Sequence, residues 1–366
     1  MRRTAALLAI AGLAASGCGG GGDRAPSTAA SRPPAAGTRH ELTPEQLAGQ
    51  HVIFPFAGRT PPPALLRRIR RGEAAGVIFL GSNLGTPAQV RALTRRLRAI
   101  PRPPGLRAPL LLMVDQEGGS VQRLPGAPSR SAPAMAATGD PAVARAEGRA
   151  TAATLRAAGM NVDLAPVVDV VRPESALQAE GRGFGFTAAS ASRFGAAFAR
   201  GLSEGGVAAT AKHFPGFGAA VSNTDTGAVR IPVPLQELRA VDGRPFSAAI
   251  GAGARLVMVA SAIYPALSEV PAVLSPRVVQ RELRERLRFD GVTISDDLEA
   301  PAFAARGDVA VRALRAGVDL LLFARTYAGA ARGAAALADA IRAGSIDRGA
   351  LDTSLRRVLA LRAGLR

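Results

Sequence analysis

Three features of the sequence predict an α/β chain closed into a single (β/α)8, TIM-type barrel. Eight short, nearly continuous apolar runs recur along the chain, helical patterns lie between them, and no stretch is left over for a second folded domain. The runs cover residues 51–56, 76–80, 109–114, 160–170, 207–213, 255–261, 291–295 and 318–323. Runs that are apolar at nearly every position suit strands buried on both faces, as in a parallel sheet wrapped by helices. Amphipathic helical patterns cover 87–100, 141–158, 187–204, 276–288 and 309–316, and a last one over 347–365 is expected to close the barrel. A doubly wound sheet is the competing arrangement, but no G-x-G-x-x-G follows the first strand.

Composition narrows the function. With 366 residues, 48% of them hydrophobic, the chain can bury a sizeable core, which excludes disorder or a fibrous repeat as its main state. One cysteine excludes a disulfide framework and a multi-cysteine zinc site. Three histidines, His40, His51 and His213, argue against a histidine-rich metal centre, so no metal and no cofactor is expected. The formal charge of +18 invites a nucleic-acid reading. Yet only Lys212 among the 46 basic residues is lysine, and alanine, glycine and proline abound, the mark of a GC-rich coding bias. The clusters Arg67-Arg68-Ile69-Arg70-Arg71 and Arg95-Arg96-Leu97-Arg98 fall on predicted helices and read as solvated faces. With no tryptophan and no aromatics among these charges, a nucleic-acid partner is not expected. The positive charge does favour an anionic cell envelope.

The first residues read as an address. Met1-Arg2-Arg3 precedes a short apolar stretch, and Ala15-Ser16-Gly17-Cys18 resembles a bacterial lipoprotein cleavage signal. Residues 1–17 are therefore expected to be removed and Cys18 lipidated. The other reading is an ordinary secretory signal with a chance cysteine. Residues 18–45, rich in Gly, Pro and Ala, read as a flexible tether, and 46–366 as the barrel. An extracytoplasmic, membrane-anchored protein is a poor setting for ATP or nicotinamide chemistry. No heptad repeat argues for an oligomer, and a monomer is expected.

In such a barrel the chemistry sits at the C-terminal ends of the strands. There the sequence places Asp115-Gln116-Glu117-Gly118-Gly119, Asp169, Lys212-His213-Phe214-Pro215-Gly216 and Ser295-Asp296-Asp297. Any one of these could be a helix cap or a structural ion pair; four on one rim point to a binding site. In a chain that otherwise uses arginine, Lys212 suggests a need for a compact ammonium. Hydrogen bonding to a ligand hydroxyl, a Schiff base, and a buried ion pair with Asp169 or Asp296 are all open for it.

Five stretches, in order, carry a family resemblance: VDQEGGSVQRL at 114–124, NVDLAPVVDV at 161–170, GRGFG at 181–185, KHFPGFG at 212–218 and ISDDLEA at 294–300. With them the chain resembles glycoside hydrolase family 3, specifically its β-N-acetylhexosaminidase branch, from about Leu47 onward. The resemblance implies a retaining mechanism through a glycosyl-enzyme intermediate. Asp296 matches the nucleophile, with Asp297 as the structural alternative; a carboxylate can attack the anomeric carbon and later leave. The resemblance also implies that Asp115, Arg123, Arg182, Lys212 and His213 bind sugar hydroxyls. A packing role is the other reading of His213.

The departures concern proton transfer. The branch usually carries Asp-Ser-His in a loop after KHFPGHG, the His serving as acid/base and the Asp orienting it. Here residues 218–226 read Gly-Ala-Ala-Val-Ser-Asn-Thr-Asp-Thr, which sets Asn223 on the orienting Asp and Asp225 on the catalytic His. Phe217 replaces the second His of the motif, and Ser120 an Arg often seen in EGGRVQR. Carboxyl groups commonly serve retaining glycosidases as acid/base, so Asp225 is the candidate if its surroundings keep it protonated. Phe217 and Val221 are expected to desolvate it and Asp296 to repel its charge. The other reading of Asn223-Thr224-Asp225 is a turn or cap. The leading expectation is a lipid-anchored envelope glycosidase. It would act on terminal β-N-acetylglucosaminides of peptidoglycan fragments or chitooligosaccharides, with phosphorolysis as a variant. The alternatives are a sugar- or wall-binding barrel without turnover and a lyase using Lys212.

Overall fold

Eight parallel strands follow one another round a ring in chain order. They are β1 (Val52–Phe54), β2 (Gly76–Ile78), β3 (Leu111–Val114), β4 (Val162–Asp163), β5 (Ala208–Phe214), β6 (Leu256–Val259), β7 (Val292–Ser295) and β8 (Leu321–Leu322). β1 pairs with β8 at Val52–Leu321 and Ile53–Leu322, and β7 meets β8 through the Ile294–Leu320 bridge, so the ring closes. This is the expected (β/α)8 barrel, and closure removes the doubly wound alternative. The computed structural model describes residues 42–304 and 308–365. The expected signal sequence, Cys18 and the expected tether up to Glu41 lie outside the described residues.

Alternation along the strands explains why the runs are apolar throughout. Ile53, Leu111, Met113, Val162, Leu256, Met258, Val292 and Ile294 form one buried cluster inside the barrel. Their chain neighbours Val52, Leu112, Val114, Val257 and Val259 belong to a second cluster between the strands and the helices. The same alternation, carried two residues past Met113 and Ile294, brings Asp115 and Asp296 to the inward side at the mouth.

The helices fall where the periodicity puts them: Pro87–Arg98, Pro141–Ala157, Ala188–Glu204 and Val309–Ala316. Two stretches depart from expectation. Residues 276–288 hold a π-helix, Arg277–Arg286, in place of the α-helix, with Leu287 N donating to Glu282 O five residues back. In the run 160–170 only Val162–Asp163 is continuous strand; Pro166 lacks a ladder donor, and beyond it a single bridge joins Val167 to Lys212.

The last helix, Arg348–Ala363, stoppers the barrel at the N-terminal ends of the strands. Val358, Leu361 and Leu365 join the inner cluster. Between them Arg362 is fully buried, donating to Pro109 O at 2.9 Å, Ala108 O at 2.7 Å and the Gln50 side chain. Burial, with a smaller effect from Arg102, brings its guanidinium down to about 10. Replacing Arg362 with alanine strands those acceptors and opens a void. We expect Arg362→Ala to lower the unfolding free energy by about 3 kcal/mol, read from urea titrations with an unchanged slope; a loss under about 1 kcal/mol would count against this role.

Candidate active site

A cavity of about 570 Å³ opens at the C-terminal ends of the strands. Ile78, Leu164, Met258 and Leu322, the top of the inner cluster, supply its apolar wall. Asp115, Arg123, Arg182, Lys212, His213, Asp225 and Asp296 all line it, so the residues singled out from the sequence meet in one place. Asp169 does not line it; it lies buried behind His213.

Lys212 on β5 is the most enclosed cation of the cavity, its side chain 3% exposed. Its ammonium sits 2.7 Å from Asp115 Oδ1 and 2.6 Å from Glu117 Oε1. Glu117 comes from a short hairpin, Gln116–Gly118 with Val121–Gln122, which folds directly after β3. Arg182 grips Glu117 with two bonds of 2.8 Å and reaches Glu180 at 2.7 Å. Burial alone would push the Glu117 carboxyl up, but Lys212 and Arg182 hold it at about 2. Burial would likewise lower Lys212, yet Asp115 and Glu117 keep it above its ordinary value. Of the readings left open for Lys212, the buried ion pair is present but with other partners than Asp169 or Asp296: the end of β3 supplies Asp115, the hairpin brings Glu117, and Asp169 is engaged elsewhere. A Schiff-base lysine needs a neutral amine, and this environment favours the ammonium.

Asp169 orients His213. One carboxylate oxygen accepts from His213 N at 3.0 Å and lies 2.8 Å from the ring Nδ1; the other accepts from Phe217 N at 2.6 Å. Nε2 is thus the ring nitrogen left for a ligand. Phe217 packs on the imidazole, with ring centroids 5.7 Å apart.

The two adjacent aspartates after β7 differ sharply. Asp297 accepts from Glu299 N at 3.0 Å, Ala324 N at 2.9 Å and Arg325 Nε at 2.9 Å. Burial raises its carboxyl above the ordinary value, against those bonds. Asp296 accepts one bond, from Asp297 N at 2.8 Å, and pairs with no cation among the described residues. Asp296 Oδ2 accepts no hydrogen bond among the described residues and is left for a ligand.

The loop after β5 forms a turn in which Asn223 Oδ1 accepts from Asp225 N at 3.0 Å and Asn223 O from Thr226 Oγ1 at 2.7 Å. This is the turn geometry that the sequence left open. Asn223 Nδ2 reaches Glu180 at 3.3 Å, and Asp225 Oδ1 accepts from Arg325 Nη2 at 2.8 Å. The expected desolvation of Asp225 by Phe217 and Val221 is corrected. Phe217 lies against His213, Val221 is 79% exposed, and the Asp225 side chain, drawn to a half-exposed guanidinium, is 62% exposed. Ser120 Oγ donates to Glu180 O at 2.8 Å. Arg123 is exposed at the cavity wall, and its side chain has no polar partner among the described residues.

Glu180 and Arg325 escape the sequence reading, and Glu117 appears there only as part of a motif. Glu117 has a signal, its place in the polar stretch that ends β3; Arg325 has a weaker one, its position just past the end of β8.

The model of the glycosyl hydrolase family 3 N terminal domain matches residues 63–361. The chain is 37% identical over 331 residues to an uncharacterized secreted glycosyl hydrolase of Arthroderma benhamiae, covering 87% of this chain and 93% of that protein. It is 40% identical over 269 residues to a β-hexosaminidase of Stenotrophomonas maltophilia, covering 69% and 77%. A family 3 β-N-acetylglucosaminidase from a Paenibacillus species superimposes with a TM-score of 0.82 at 33% identity. That match covers 88% of this chain, which spans 63% of the Paenibacillus enzyme's length.

The Glu117 cluster makes stability depend on acid. Glu117 stays ionised down to about pH 2 when folded, against an ordinary value of 4.5, so its contribution is complete above pH 4.5 and lost as the pH falls towards 2. That difference corresponds to about 3 kcal/mol. In urea titrations at a series of pH values, the wild type should lose about that much more stability than Glu117→Gln between pH 5 and 2; parallel curves would contradict the assignment.

Proposed function

Because the chain belongs to glycosyl hydrolase family 3 and is a glycoside hydrolase, we propose that it removes terminal β-linked N-acetylhexosamine with retention of configuration, using Asp296 as nucleophile. One observation carries the assignment. Among the described residues, Asp115, Glu117, Glu180, Asp225 and Asp297 each pair with a lysine or arginine, whereas Asp296 pairs with none. A nucleophile needs an unengaged oxygen aimed into the cavity.

In the first step an oxygen of Asp296 attacks the anomeric carbon, the bond to the aglycone oxygen breaks, and that oxygen takes a proton from Asp225. In the second step water gives a proton to Asp225 and attacks the same carbon, and the Asp296 ester bond breaks. Asp115, Arg123, Arg182, Lys212 and His213 bind the sugar hydroxyls, the carboxylate accepting and the cations donating. The names of the Stenotrophomonas and Paenibacillus relatives support an N-acetylhexosaminide substrate, and peptidoglycan fragments or chitooligosaccharides supply such ends. The secreted Arthroderma relative supports work outside the cytoplasm, and we assign membrane attachment to lipidation of Cys18. The second reading, a sugar-binding barrel without turnover, is favoured by the loop that carries Asp225 in place of histidine.

Turnover of an aryl β-N-acetylglucosaminide by the full chain, compared with Asp296→Asn, tests the assignment. The variant should lose at least about 10³-fold in kcat, and a 5-fluoro N-acetylglucosaminyl fluoride should label Asp296 in the wild type. Equal inactivity of both proteins with no label would favour the binding barrel, and equal turnover would remove Asp296 as the nucleophile. In a bacterial host, the wild type should incorporate labelled fatty acid and sediment with membranes, and Cys18→Ser should do neither; incorporation by the variant would remove the anchor from the proposal.

A further inference from the structure

We propose that Arg325 is the positioning residue of this site, orienting Asp225 against the bond to be cleaved by tying the loop after β5 to the mouth of β7 and β8. The inference rests on the glycosidase reading above.

Arg325 lies just past β8, where its backbone is already fixed: Arg325 N and Thr326 N donate to Glu299 Oε2 at 3.2 and 2.8 Å. Its guanidinium then forks. Nε donates to Asp297 Oδ2 at 2.9 Å and Nη2 to Asp225 Oδ1 at 2.8 Å. Asp297 is itself pinned by Glu299 N and Ala324 N, and it is bonded through the chain to Asp296. One tine of the fork is therefore anchored beside the nucleophile and the other holds the loop carboxylate. From the other side, Asn223 fixes the backbone of Asp225 and reaches Glu180. Asp225 Oδ2 makes no hydrogen bond within the described residues, which leaves it as the oxygen to carry the transferred proton.

Magnitude decides between a stabilising and a positioning role. Arg325 and Asp225 are 41% and 62% exposed, and exposed pairs of this kind add little to stability. What the fork fixes is geometry: a planar guanidinium sets two carboxylates at a constant separation, which an ammonium cannot reproduce. Acid/base assistance depends on such placement.

The test uses the full chain, with Arg325→Ala, Arg325→Lys, Asp225→Ala and the double alanine variant. Two substrates are compared: N,N′-diacetylchitobiose, whose leaving oxygen needs a proton, and 2,4-dinitrophenyl N-acetyl-β-glucosaminide, whose leaving group does not. On the disaccharide, Arg325→Ala should lower kcat about 10²-fold, with KM changed less than about threefold. On the dinitrophenyl substrate the loss in kcat/KM should be at least about tenfold smaller, and Asp225→Ala should show the same contrast. The double variant should be no slower on the disaccharide than Asp225→Ala alone, because Arg325 acts through Asp225. Arg325→Lys should fall between wild type and Arg325→Ala. Equal losses on both substrates, or losses that multiply in the double variant, would overturn the inference. A merely structural role would also lower the melting temperature and slow labelling of Asp296 by the fluorosugar; Arg325→Ala should do neither. No turnover of either substrate by the wild type is a different failure, that of the glycosidase reading itself, and turnover unaffected by Asp296→Asn is the failure of the nucleophile assignment.

Discussion

The buried ammonium of Lys212, held between Asp115 and Glu117, is the contact on which the rest of the site depends. A charge so enclosed is tolerable only if its neighbours compensate its lost hydration. Two carboxylates do so at 2.7 and 2.6 Å, and Arg182 compensates the second of them. The result is a continuous run of alternating charges, Asp115–Lys212–Glu117–Arg182–Glu180, along one side of the cavity. Such a surface suits a neutral, hydroxyl-rich ligand. Each hydroxyl can donate to a carboxylate while accepting from an ammonium or guanidinium, so a sugar can join the network without displacing a charge. A strongly charged ligand would have to break a pair first.

Strand alternation decided how much of this could be read from the sequence. Asp115 and Asp296 were legible because each continues the inward register of an apolar strand at the end where barrels place their chemistry. Lys212 was legible because it is the chain's one lysine. The same composition blurred Arg325: in a chain this rich in arginine, one more just past a strand carries only a weak signal. Glu117 required the hairpin after β3, and no periodicity announces that Gln116 to Gln122 will fold back over the mouth. Spacing aligned Asn223 and Asp225 with a catalytic pair, but their partners Glu180 and Arg325 come from 43 and 100 residues away in the chain. Long-range pairing of that kind lies beyond local sequence reasoning, and it is why the expected apolar cover for Asp225 gave way to an ion pair.

The neighbouring pair Asp296–Asp297 shows how one residue type meets two different hydrogen-bonding environments one residue apart. Asp297 is spent on two backbone amides and a guanidinium, and it holds together the ends of β7 and β8. Asp296, one residue earlier and on the inward register, meets only its neighbour's amide. Their different surroundings need no difference in side-chain chemistry, only the change of face from one residue to the next.

In the proposed mechanism, Asp225 stands where the resembled branch carries a loop histidine, and this changes what the site asks of its substrate. A histidine oriented by an aspartate gains basicity from its partner and is readily protonated near neutral pH. An aspartate is shorter than a histidine, and here Arg325 holds one of its oxygens and leaves the other to exchange the proton. Its help in either half of a retaining cycle depends on how well that second oxygen is placed. The burden then shifts to the leaving group. Glycosidic bonds whose oxygen departs readily pass through the first step with little help, whereas ordinary disaccharide linkages depend on how well Arg325 and Asn223 hold Asp225 in place. The loop exchange and the arginine after β8 are thus two halves of one proposed device, in which the fork holds in position the carboxylate that stands where the histidine would.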